Sequence, residues 1–222
     1  MDPLLARYRE LRRRLPAGVD LLAVSKGRPA AMIRALHGEG QRSFGESRLQ
    51  EAMAKQAELS DLPDLDWQFI GRLQANKVRP VLRAFAAVQS VDGLDLARRI
   101  SRIAAEEGLQ PVLHAQVKLR PDPAKGGFAP DVLRQHWDEL RQLPAVRWQG
   151  LMAIPPLALA DADLEAFFRE AVSLADALGL EGRSLGMSGD WPLAVAAGST
   201  LVRLGSTLFG PPSSDGARFA ER

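Results

Sequence analysis

The sequence predicts a single (β/α)8 TIM barrel with an additional N-terminal helix. Short apolar runs alternate with amphipathic segments along the chain, the rhythm of a parallel sheet covered by helices. Gly and Pro punctuate the joins between those segments. The Gly-x-Gly-x-x-Gly fingerprint and the Walker pattern, which would favour the alternative of an open doubly wound sheet, are both missing.

The elements follow in order. Asp2 can cap a first helix and Pro3 suits its first turn. Leu4, Tyr8, Leu11 and Leu15 form one face of it, and Arg7, Arg9, Arg12, Arg13 and Arg14 surround that face. The arginines read as a solvated helix side rather than as an RNA patch. Leu21 to Lys26 is an apolar run, opened by Asp20 and closed by Gly27 and Pro29, that reads as a strand buried on both faces. A helix through Met32, Ile33 and Leu36 follows, then a short strand at Arg42-Ser43-Phe44. Ser47 is expected to start the next helix, with Gln50 completing a capping box. Asp66–Ile70 is the third strand, followed by a helix from about Gln74 to Phe85. Ala87–Val91 is the fourth strand, and its helix uses Leu96, Ile100, Ile103 and Ala104 before Gly108. Pro111–Val117 is the fifth strand, and the next helix runs from about Pro130. Val146–Ile154 is the sixth, broken by Pro155-Pro156 ahead of a long helix that stops at Gly179. Ser184-Leu185-Gly186 is expected as a short seventh strand, then a helix from Trp191 to Ala197. Thr200–Leu204 is the eighth. The expected organisation is one domain over residues 1–222, with a leading helix in 1–18 and a loosely held tail in 211–222.

Composition narrows the function classes. The net charge is +2, too small to argue for nucleic acid. With no cysteine there is no disulfide, thiolate metal site or cysteine nucleophile. No apolar run approaches a membrane span, and Met1-Asp2-Pro3 lacks a signal-peptide pattern, so a soluble cytoplasmic protein is expected. No cluster has metal-ligand spacing.

The chemistry centres on Lys26. The chain holds only five lysines against 24 arginines, so lysine is not its ordinary surface cation. A strand-end lysine can simply snorkel into water. Unlike a guanidinium, however, its amine can lose a proton and attack a carbonyl. In a barrel of this kind, functional groups gather at the carboxyl ends of the strands, and phosphates favour the loops after the seventh and eighth. Those loops read Gly186-Met187-Ser188-Gly189 and Arg203-Leu204-Gly205-Ser206, small residues whose hydroxyls and bare amides can wrap a phosphate. A phosphorylated aldehyde would satisfy the amine and the cup together, and pyridoxal 5′-phosphate is the commonest such cofactor.

Six segments carry a resemblance: Leu22–Lys26, Phe44–Ser47, Phe69–Lys77, Gly150–Pro155, Leu185–Ser188 and Val202–Gly210. In these the chain resembles the pyridoxal phosphate homeostasis protein family, whose barrel is that of the alanine racemase N-terminal domain. The resemblance implies that Lys26 holds the cofactor as an internal aldimine, that Ser188, Gly205 and Ser206 hold its phosphate, and that Arg203 faces its pyridine nitrogen. Ser47 stands where the family usually has Asn, and is either a further contact or a helix cap only. Gln68 replaces a usual His, Gly189 a usual acidic residue and Lys118 a usual Asn, while Lys125 corresponds loosely to a loop lysine. The family implies a monomer that carries pyridoxal phosphate without catalysis, in vitamin B6 and amino/keto acid homeostasis, with pyridoxal-dependent apo-enzymes as possible recipients.

The rival reading is a racemase-like enzyme of weak activity. A two-base racemase needs a second proton donor facing the lysine, and the single tyrosine, Tyr8, lies in the leading helix. A serine hydrolase built on Ser188 is a weaker rival: Gly186–Asp190 misses the Gly-x-Ser-x-Gly elbow, and none of His37, His114 and His136 is an obvious base.

Overall fold

Each apolar run lies between helices and lumen, and that burial is what fixes the strands. In the computed structural model, which describes residues 2–123, 125–157 and 159–211, the first strand is β1 (Asp20–Val24), preceded by helix α1 (Pro3–Arg14). Then come α2 (Ala30–Gly38), β2 (Ser43–Glu46), α3 (Leu49–Glu58), β3 (Asp66–Phe69), α4 (Val78–Ala84), β4 (Ala87–Val91) and α5 (Leu94–Glu107). The second half is β5 (Val112–Val117), α6 (Pro130–Leu140), β6 (Arg147–Ala153), α7 (Asp161–Ala177), β7 (Gly182–Ser184), α8 (Trp191–Ala197), β8 (Leu201–Leu204) and α9 (Ser206–Phe209). The eight strands form a closed barrel in chain order, every pair parallel, with β1 against β8 through Leu21↔Val202 and Leu22↔Arg203. All strands therefore end at one mouth, where the loops after β1, β7 and β8 are neighbours.

The leading helix forms as its sequence indicates. Asp2 Oδ1 accepts the Leu4 amide at 2.8 Å, and Leu4, Tyr8 and Leu11 are buried. The arginines have structural uses beyond solvation. Arg7 donates to the carbonyls of Leu208 and Phe209, which ties α1 to α9, and Arg14 lies 5.1 Å over the Trp191 ring.

Three expectations are corrected. The capping box at Ser47 is absent: α3 starts at Leu49 after Arg48, with no side-chain cap bond. Strand pairing reaches Glu46, whose carbonyl takes the Ile70 amide, and Ser47 is pressed against Gly71, where an added Cβ would lie 2.2 Å from the Ser47 carbonyl oxygen. The helix expected from Gln74 splits into a 3-10 turn at Ala75–Lys77 and then α4, in keeping with Pro80, which brings no amide hydrogen to the first turn. The seventh strand is Gly182–Ser184 rather than Ser184–Gly186, because Gly186 turns the chain outward at φ +91°. The short α9 had no periodicity to announce it. Most of the expected loose tail lies outside the described residues.

The apolar core fills the space between sheet and helices, with Phe44, Phe167, Phe168, Ile33 and Leu36 fully buried. The lumen is different. Gln89 of β4 and Ser184 of β7 bond to each other at 2.7 Å although their strands are not neighbours, so both project inward. Strand parity and register place Asp66, Gln68, His114, Gln116 and Arg203 on the same inner side. This barrel is lined largely by polar groups, and each needs a partner.

Candidate functional site

The mouth of the barrel is built from three adjacent strand ends. On β1, Leu22 faces the lumen, since a Cβ at Gly45 would touch its side chain at 3.0 Å. Alternation then puts Val24 on the same side and Ser25 on the other, and Lys26 follows at the carboxyl end of the strand, in the turn that Arg28 N closes on Ser25 O at 3.0 Å. Lys26 is exposed and makes no hydrogen bond or ion pair among the described residues, so its amine is free to react. Gly205, at the end of β8, lies against Val24: an added Cβ there would sit 3.6 Å from the Val24 carbonyl oxygen. The loops after β7 and β8 are laced together. Ser188 Oγ accepts the Thr207 amide at 3.2 Å, and Thr207 Oγ1 donates to the Ser188 carbonyl at 3.0 Å. Ser188 accepts in this arrangement, which leaves its O–H proton available. Ser206 is exposed beside it.

The structure thus brings Lys26, Ser188, Gly205 and Ser206 to one mouth, on three consecutive strands of the closed sheet. Arg203 lies deeper in the same lumen, level with Leu22 and only 4% exposed. Its Nη1 donates to the carbonyl and hydroxyl of Ser184, and its Nη2 to the Ala153 carbonyl at 3.0 Å. None of these partners is a carboxylate. Burial pushes its guanidinium down to about 10, with Asp190 opposing. Ser47 sits half-buried at the end of β2, placed by its contact with Gly71.

A hydrogen-bond chain continues from Arg203 across the lumen. Ser184 Oγ donates to Gln89, Gln89 donates to Gln68 at 2.6 Å, and Gln68 donates to Asp66 at 2.6 Å. Asp66 also accepts from Ser43 at 2.8 Å. Every donor points away from the arginine and toward the carboxylate. His114, on the inner face of β5, is 3% exposed, and its Nδ1 has no partner. Burial, then the Arg203 and Arg147 cations, push its imidazole down to about 4, so it is neutral at ordinary pH.

The remaining sequence-singled groups fall elsewhere. Lys125 is not a free lysine: it donates to the Pro155 carbonyl at 2.6 Å and pairs with Asp122 at 3.0 Å. Asp190 accepts the Met187 amide, His37 contacts Asp64, and His136 faces Glu139. Ser188 therefore has no triad. Among the described residues no group of His, Asp or Glu could hold a metal ion, and no helix is long and apolar enough to cross a membrane. A cavity of about 340 Å³ opens between Arg147, Trp148, Glu181 and Thr200 at the amino ends of the strands, opposite Lys26. The amine of Lys26 and the hydroxyls of Ser188 and Ser206 lie at the opposite, carboxyl-end mouth.

Sequence reasoning missed a buried cluster behind Lys26. Ser25 donates to Glu46 Oε1 at 2.7 Å, and Lys55 of α3 reaches Glu46, Glu51 and the Ser25 carbonyl. Glu51 and Lys55 were visible as an i,i+4 pair on one helix face. Nothing in the linear sequence said that the pair reaches β1.

Comparison with known proteins places this architecture. The model of the alanine racemase N-terminal domain matches residues 1–212. The pyridoxal phosphate homeostasis protein of Pseudomonas aeruginosa is 47% identical over 211 residues, covering 92% of this chain and 91% of that protein. The one from Synechocystis is 43% identical over 209 residues, covering 91% and 96%. This chain belongs to the pyridoxal phosphate homeostasis protein family. The structure of a family member, PipY of Synechococcus elongatus with pyridoxal phosphate bound, superposes with a TM-score of 0.90 at 48% identity, covering 93% of this chain and all of that one. Gln68, one of the positions singled out above, is a neutral link in the lumen chain, and Gly189 borders open space.

Proposed function

We propose that this protein is a cytoplasmic, monomeric carrier of pyridoxal 5′-phosphate that serves vitamin B6 and amino/keto acid homeostasis without catalysis of its own. The observation that carries this reading is the free amine of Lys26 on the strand next to the hydroxyl-lined loops of β7 and β8.

The donor set fits the molecule. Lys26 Nζ would attach to the aldehyde carbon, its two N–H protons and the carbonyl oxygen leaving as one water. Ser188 and Ser206 offer O–H donors to the phosphate, and Gly205 leaves room for its close approach. Arg203, a cation without a carboxylate partner, would lie toward the pyridine nitrogen and disfavour its protonation. Ser47 lines the β2 side of the mouth. When bound, the cofactor supplies an electrophilic carbon and an electron sink, and an unprotonated ring is the weaker sink.

A carrier rather than a racemase is supported by Tyr8. It is 5% exposed within α1, and the charged groups around it include Glu39 and Arg42, which precede β2 at the amino-end side of the barrel. It therefore does not face Lys26 as a second base. Pyridoxal-dependent apo-enzymes are the natural recipients of a cofactor held by one reversible bond.

The test is direct. Protein incubated with pyridoxal phosphate turns yellow, and borohydride reduction followed by peptide mapping finds the added mass on Lys26. Lys26→Ala takes up no reducible cofactor. Colourless wild-type protein, or mass on another lysine, would overturn the assignment. α-Proton exchange of an amino acid in deuterated water that vanishes in Lys26→Ala would overturn the non-catalytic part.

A further inference from the structure

The residues on either side of Lys26 are both gripped by one side-chain cluster from β2 and α3. Ser25 is fully buried. Its hydroxyl donates to Glu46 Oε1 at 2.7 Å, and its carbonyl accepts from Lys55 Nζ at 2.7 Å. On the far side, Gly27 adopts φ +68° and its amide donates to Glu51 Oε1 at 2.5 Å. Lys55 joins the two halves by bonding Glu46 at 2.7 Å and Glu51 at 2.6 Å. All three ammonium protons are thereby used. The grip adds to one strand-type bond, Ser25 N to Gly45 O at 3.1 Å, and to the turn closed by Arg28 N on Ser25 O at 3.0 Å.

This is more than the end of a strand needs. Glu46 is fully buried, its Oε2 has no partner, and burial holds its carboxyl above the usual carboxylate range despite Lys55 and Ser25. A buried charged cluster with an orphaned oxygen is a costly way to stabilise a strand, since apolar residues of similar volume do as well or better. What the cluster does supply is direction. With Ser25 held against the helix layer and Gly27 turned by its positive φ, the backbone at Lys26 has one orientation left. Lys26 thus stands in a turn held on both sides, at the end of β1 that adjoins β8.

We infer that Glu46, Lys55 and Glu51 form a clamp that positions Lys26 for covalent capture of a phosphorylated aldehyde. They act through the hydroxyl and carbonyl of Ser25 and the amide of Gly27, the two neighbours of Lys26, so they are positioning residues. The inference rests on the reading that Lys26 is the attachment point. Reaction at the amine forms one C=N bond and releases one water, and its rate and extent depend on the nitrogen arriving in line with a phosphate already held by the β7 and β8 loops.

Glu51→Ala is the test, because Glu51 is partly exposed, at 22%, and α3 tolerates alanine. The amide of Gly27 and one proton of Lys55 then lose their acceptor. Wild type, Glu51→Ala and Glu51→Gln are titrated with pyridoxal phosphate, capture is followed by visible absorption and borohydride trapping, and thermal unfolding is recorded without cofactor. Loss of one charge-assisted bond to the loop weakens capture about tenfold in Glu51→Ala. Glu51→Gln, whose amide oxygen can still accept from Gly27, recovers most of it. The unfolding temperature of the two variants differs far less than their capture does, and the Gly27 amide exchanges with solvent faster in Glu51→Ala than in wild type. Wild-type capture with an equally competent Glu51→Ala overturns the clamp alone. Capture that falls only in step with unfolding temperature, with no rescue by glutamine, overturns it in favour of a stabilising role. A wild type that captures nothing overturns both the clamp and the function it rests on.

Discussion

Arg203 and His114 share the lumen without a carboxylate beside them, and each is displaced in the direction that burial dictates. For His114 the consequence is a pH dependence with a defined sign. In the unfolded chain its imidazole gains a proton near pH 6.5, whereas in the folded protein it stays neutral down to about 4. Between those values the unfolded state binds the extra proton, so stability is full above pH 6.5 and declines as pH falls, by roughly 3 kcal/mol at pH 4. Glu46 acts in the opposite sense: its raised carboxyl contributes most below its unfolded value and loses that contribution as pH rises. The imidazole's share is therefore read as a difference. Urea unfolding of wild type and His114→Gln at pH 7 and pH 4.5 gives a smaller acid loss in the variant. Parallel losses would mean that His114 is already protonated in the folded protein.

The β7–α8 connection shows how tightly an element can be written into single positions. Gly186 has φ +91°, and a Cβ there would lie 2.7 Å from Ala194 Cβ and 2.9 Å from Trp191 Cα. Three residues on, Gly189 has no left-handed φ, and an added Cβ would meet nothing within 4 Å. Gly186→Ala therefore costs about 2 kcal/mol and lowers the unfolding temperature by roughly 4–8 °C. It also displaces the Ser188 loop and weakens phosphate retention. Gly189→Ala stays within about 0.5 kcal/mol of wild type. Calorimetry on the two variants checks this, and equal melting temperatures would contradict it. Legibility in the sequence followed the same lines. Helices with strong periodicity, such as α5, and strands with continuous apolar runs, such as β1, were visible because burial selects residue type one position at a time. Lys26 and the β7 and β8 loops were legible for a related reason, since barrel topology places any strand end at a known mouth. Ser47 was misread because a Ser-x-x-Gln spacing records only local capping options, while the Gly71 contact that fixes Ser47 is tertiary. The Lys55 clamp and the Arg7–α9 tie were invisible on the same ground.

Seen across the whole barrel, the chain from Arg203 through Ser184, Gln89 and Gln68 to Asp66 is a dispersed ion pair. The cation has no carboxylate in contact, yet each intervening dipole is oriented with its positive end toward Asp66 and its negative end toward Arg203. Three neutral side chains thus carry the counter-charge across a lumen too wide for direct contact. In a medium of low dielectric such links polarise one another, so the worth of one depends on the others being intact. Ser184 and Gln68 do not touch; both touch Gln89. If the chain acts as a unit, Ser184→Ala and Gln68→Ala are not additive, because the first loss already frees Gln89 and softens what the second would remove. A double-mutant cycle by urea unfolding gives a coupling of about 1 kcal/mol, well outside the few tenths expected of independent sites. Pyridoxal phosphate retention falls in Ser184→Ala, because Arg203 then holds its place by backbone carbonyls alone, and falls less in Gln68→Ala, where the Ser184 hydroxyl still accepts from Arg203. Additive stabilities with unchanged retention would reduce the chain to separate contacts and leave Arg203 fixed by β6 and β7 only.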